Sequence, residues 1–93
     1  MTVYMVEREL PGITPVQLAG AQRAAISASE QHTAHGSPVR YIRSTFLPGE
    51  SKCLCLFEAP SEQAVREVNV TAKLPFQRIV EALDLTPLTG GIK

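Results

Sequence analysis

Cys53 and Cys55 are the two cysteines of the chain, one residue apart in SKCLCLFEAP, residues 51–60. On an extended strand this spacing sends both side chains to one face, about 6.5–7 Å apart. A disulfide wants Cα atoms within about 4.4–6.8 Å and converging Cβ vectors, so a bond along one strand fits badly. C-x-C also lacks the second ligand pair of a structural zinc site. As a nucleophile, either thiol needs a base or a cation to lower its pKa, and Arg43 on a neighbouring strand is the candidate. The remaining reading is two small apolar residues buried in a sheet.

Other residues of chemical type are few. His32 and His35 in QHTAHG stand three apart near a helix end. Such a pair can hold a transition metal, or favour the negative end of the helix dipole. Glu7 and Glu9 share one strand face, where they could do acid–base work, bind a cation, or pair with Arg40, Arg43 or Arg78. Tyr41 beside Glu7 is the one candidate for a tyrosine–acid pair of enzymatic type. No Gly-rich phosphate loop, G-x-S-x-G or H-E-x-x-H is present.

The elements that must position these residues are legible from periodicity. TVYMVEREL, residues 2–10, alternates as a strand. After the break at PGITP, Thr14 caps a helix with Pro15 at its first position and Gln17 at capping-box spacing. That helix runs toward Gly36 and buries Leu18, Ala21, Ala25 and Ala28. Residues 39–48 form a second strand, and KCLCLFEA a third, joined as a hairpin through GES. Ser61 caps a second helix to about Lys73, with Val65, Val68 and Ala72 on one face. Residues 78–85 make a fourth strand. The order β-α-β-β-α-β is the ferredoxin-like α+β pattern, a four-stranded antiparallel sheet with two helices on one face.

Two helices leave the opposite sheet face bare. Alternation groups residues by face without saying which group faces the helices; one candidate set for the bare face is Val3, Met5, Glu7 and Glu9, then Tyr41, Arg43 and Thr45, then Cys53, Cys55 and Phe57. This set is too apolar for free water, so a homodimer through that face, with a ligand cleft between the sheets, is expected.

Composition bounds the rest. The chain has 93 residues and a formal net charge of zero. One domain over 1–86 with a C-terminal tail at 87–93 is expected. Neutrality argues against nucleic acid or an anionic membrane as main partner. The sequence has no apolar run long enough to span a bilayer and begins with no signal-peptide pattern. A cytoplasmic location is therefore expected.

VERELPG, YIRSTF, KCLCLFEAPSEQAVRE and LPFQRIVEAL together resemble the domain-of-unknown-function family 4242, over nearly the whole chain. The resemblance implies a dimeric α+β barrel, and nickel or another divalent transition metal as cofactor. It implies ligand positions at Glu7, Glu9, Arg43, Cys55 and Asn69, to which the residues themselves add Tyr41; the metal candidates are Cys55 and Glu7 by resemblance and His32 and His35 by their spacing. Some relatives carry histidine where this chain has Arg43 and Asn69, and neither replacement is a good nickel donor. Three function classes follow: a small non-enzymatic dimeric binding protein, a cofactor-independent enzyme of monooxygenase or isomerase type by fold analogy, or an interaction domain without ligand.

Overall fold

In the computed structural model residues 1–87 are described. The tail expected at 87–93 lies, from residue 88 onward, outside the described residues. The elements are β1 (Thr2–Glu9), α1 (Pro15–Ala34), β2 (Arg40–Leu47), β3 (Lys52–Ala59), α2 (Glu62–Thr71) and β4 (Arg78–Ala82). The sheet order is β2-β3-β1-β4, and each neighbouring pair is antiparallel. This is the ferredoxin-like βαββαβ arrangement.

Local signals set the helix limits. Thr14 Oγ1 accepts from Gln17 N–H at 3.2 Å, while Gln17 Oε1 accepts from Thr14 N–H at 3.0 Å, completing the capping box. At the other end Gly36 takes φ +93°, a conformation that side chains resist, and Ser37 N–H closes onto His32 O at 2.8 Å. Ser61 Oγ accepts from Ala64 N–H and starts α2. That helix stops at Thr71, short of the expected Lys73, which has turned to φ +59°. β4 also stops early, at Ala82 rather than residue 85.

The core lies between the helices and one sheet face. Val6, Phe57, Val65 and Val68 are each 0% exposed. Burying each contributes about 1.5–3 kcal/mol, more than a typical cap, so the core outweighs the caps in holding the layers together. Ala25 and Ala28 of α1 are buried against the same cluster, as the alanine stripe predicts.

Register corrects the assignment of faces. Residues directly opposite in an antiparallel pair share a face. Cys55 pairs with Val6 and Ser44, and Cys53 with Arg8 and Phe46. Both cysteines and Phe57 therefore point toward the helices, not toward the bare face. A bulge between Tyr41 and Arg43 shifts the alternation in β2. Tyr41 joins Ser44 and Phe46 on the helix side, whereas Arg43 and Thr45 lie on the bare side. That bare face carries Val3, Met5, Glu7, Leu54, Leu56 and Val80.

Candidate functional site

The bulge and the C-x-C spacing jointly build a cavity of about 300 Å³ between α1 and the sheet. Leu18, Ala21 and Ala25 of α1 form its roof, and Phe46 and Leu74 part of its wall. The small alanines leave the room, since a larger side chain at Ala21 or Ala25 would occupy it. Cys53, Cys55, Ser44, Tyr41, Gln22 and Arg8 supply its polar groups.

These polar groups form a chain with one direction. Gln22 Nε2 can only donate, and it reaches Tyr41 Oη at 3.0 Å. The Tyr41 proton is then free for Ser44 Oγ, 2.5 Å away. Ser44 Oγ–H in turn donates to Cys55 Sγ at 3.0 Å. Cys53 Sγ stands 3.7 Å from Cys55 Sγ, and both cysteines are free and buried.

Arg8 closes the site from β1. Only 1% exposed, it donates from Nη2 to Asn69 Oδ1 at 2.9 Å and from Nη1 to Pro75 O at 3.0 Å. Among the described residues no carboxylate comes within salt-bridge distance of it. A buried cation with neutral partners alone is costly. The hydrogen bond from Cys53 favours the charged form of Cys55; burial opposes it, and the Arg8 charge and the Ser44 hydrogen bond assist. The balance lowers the Cys55 thiol to about 5. Cys53 moves up, because it holds the proton beside its neighbour's charge and is itself desolvated. The pair therefore behaves as one thiolate and one thiol.

The expected metal candidates do not converge. Glu7 lies on the bare face, one residue out of phase with Cys55 on the helix face. Its carboxylate accepts from Arg78 Nε at 2.8 Å and meets Lys52 Nζ at 3.4 Å. Glu9 is exposed at the end of β1. His32 and His35 sit at the far end of α1, where His32 Nε2 meets Thr71 Oγ1 and His35 Nδ1–H donates to Gln31 O, each at 2.8 Å. Among the described residues no three His, Cys, Asp or Glu side chains group around a possible ion. The residues present within one chain therefore do not fit a nickel centre at these positions.

The other expected ligands divide in the same way. Arg43 is ion-paired with Asp84 on the bare face, so the cation beside the cysteines is Arg8 instead. Asn69 is buried as the support of Arg8 and also donates to Val65 O. Tyr41 belongs to the cavity, apart from Glu7, so the suggested tyrosine–acid pair does not form. Sequence reasoning missed Arg8, Ser44 and Gln22. Arg8 did leave a signal: it continues the Tyr4–Val6 set, a charge where the pattern asks for an apolar residue.

The chain matches the family described as "Nickel responsive protein SCO4226-like" over residues 4–82. The crystal structure of SCO4226 from Streptomyces coelicolor A3(2) is similar to it, with a TM-score of 0.76 and 25% identity. The match covers 90% of this chain and 99% of that one. No curated protein matches it. The chain belongs to the SCO4226-like nickel-responsive family.

Proposed function

We propose that this member of a nickel-responsive family is a small, non-enzymatic, homodimeric binding protein whose ligand is a small organic molecule held beneath α1. The observation that carries the reading is the cavity of about 300 Å³ with an apolar roof and a polar floor. Its volume is at the lower end of ligand pockets, which run about 300–1,000 Å³. Nickel responsiveness of the family enters through its name, and the resemblance to family 4242 is in keeping with it. In this chain the candidate donors are dispersed, so direct nickel binding is expected to be weak and to arise from His32 and His35. Two free thiols suit a cytoplasmic setting.

One NMR titration in two arms tests the proposal. Phenol, as a small probe with one polar tip, should shift the amides of Leu18, Ala21, Gln22, Tyr41 and Ser44. Ala21→Phe should remove those shifts by filling the cavity. Nickel, added to the same protein, should broaden only the signals around His32 and His35 and should leave a His32→Ala, His35→Ala variant unaffected. Phenol shifts that persist in Ala21→Phe, or nickel broadening centred on Glu7 or Cys55, would overturn the reading.

A further inference from the structure

Cys55 is the point on which the polar groups of the cavity converge. Gln22, Tyr41 and Ser44 pass their donors in one direction, and the last of them ends on its sulfur at 3.0 Å. Cys53 lies 3.7 Å away and can donate its own proton to the same sulfur. A sulfur that receives two donors is best matched by its anionic form, which needs no proton of its own. Arg8 adds an independent reason. It is buried, and its two hydrogen-bonded ends meet neutral oxygens. A thiolate at Cys55 gives that charge its anion. The lowered Cys55 pKa agrees, with Cys53 its main cause.

We propose that Cys55 is a nucleophile that captures small, soft carbon electrophiles of the α,β-unsaturated carbonyl class entering the cavity beneath α1. The inference rests on the cavity reading above and names the ligand chemistry it takes. Three features select that class. Thiolate sulfur is polarisable and soft, suited to an alkene carbon. The cavity is small and its lining is mostly apolar. Oxidation of the pair to a disulfide is disfavoured, since neighbours two apart on a strand hold their Cα atoms about 6.5–7 Å apart, at or past the disulfide limit.

The step balances within the site. A sulfur lone pair of Cys55 forms the bond to the β-carbon. The π pair of the C=C bond moves toward the carbonyl, and the resulting enolate takes its proton at the α-carbon from the Cys53 thiol. The net change is addition of S–H across C=C, with no oxidant or reductant. Cys53 is left as the thiolate, and the charge of Arg8 also favours that form. One anion thus accompanies one buried cation before and after the reaction.

N-ethylmaleimide, itself an α,β-unsaturated carbonyl compound, is the test reagent, followed by intact mass and peptide mapping on the folded protein at pH 7. One adduct per chain should form first on Cys55, on the order of tenfold faster than on glutathione under the same conditions. Cys53→Ala, which removes the proton donor, should slow the reaction by a similar factor. First labelling at Cys53, a Cys55 rate no faster than glutathione, or an unchanged rate in Cys53→Ala would overturn the proposal. Cys55→Ser should lose the fast adduct, leaving at most slow labelling of Cys53, yet keep its phenol shifts. In the wild type, absence of the adduct with phenol shifts intact would sink this inference alone, whereas absence of both would sink the cavity reading as well.

Discussion

Glu7 carries a pH dependence of the bare sheet face. The hydrogen bond from Arg78 is the largest cause holding its carboxyl below the usual 4.5; burial opposes it, and Lys52 assists. A depressed folded pKa means stabilisation that is present above the unfolded value and lost as pH falls through the folded one. Glu7→Gln should therefore be less stable than wild type at pH 7, and the gap should narrow as pH falls below 4.5 and through the lower, folded value. Urea denaturation at pH 7 and pH 3 measures both gaps. An equal gap at the two values would show that the carboxylate charge is not what the two cations recognise. At this scale the sequence offered Arg78 as a partner for Glu7, and the structure pairs them. It offered Arg43 as the cation beside the thiols, and that role went to Arg8. Arg43 lies on the bare face as alternation places it; it is the cysteines, paired with Val6 and Arg8, that turn to the other face.

Helix α1 is the element on which the cavity depends. It supplies the roof through Leu18, Ala21 and Ala25 and the first donor through Gln22. Its start is held by the reciprocal Thr14–Gln17 bonds. Thr14→Ala removes one of them and should cost about 1 kcal/mol of stability. Chemical denaturation reads the loss, and amide exchange should rise most in residues 15–18. A destabilisation spread evenly over both helices would argue against a local cap. Both helices were legible because caps are short-range devices: Thr14, Pro15 and Gln17 act within one turn, as do Ser61 and Ala64. The strand limits were also legible to within a few residues. The bulge in β2 was not, because RYIRST reads as plain alternation and the extra residue shows only against the register of β3.

At the scale of the whole molecule the sheet remains one-sided. Val3, Met5, Leu54, Leu56 and Val80 lie half-buried on the bare face, and Glu7 there is neutralised by Arg78 and Lys52. A half-buried apolar centre of this kind is what a second copy would cover about a two-fold axis, and dimerisation is proposed on that ground. The mass by light scattering at micromolar concentration should be that of two chains. Leu56→Asp, which sets a charge in the centre of the face, should shift it to one. A monomeric wild type would refute dimerisation, and a Leu56→Asp variant that remains dimeric would move the interface elsewhere. No helix of the described residues is long and apolar enough to cross a membrane.

The amino-acid sequence by itself determined the order of elements, their caps and the two-layer architecture, because these follow from periodicity and from contacts within a turn. It also limited the cysteines to one strand face, since a period of two admits no other geometry. It could not say which face. β3 is apolar on both sides, with Cys53, Cys55 and Phe57 on one and Leu54 and Leu56 on the other, so hydrophobic pattern has no preference there. Only pairing with Val6 and Arg8 of β1, residues almost fifty positions earlier, turned the cysteines toward the helices. That long-range register brought a buried arginine, a serine and two thiols into one cavity, and it separated Glu7 and the two histidines from them.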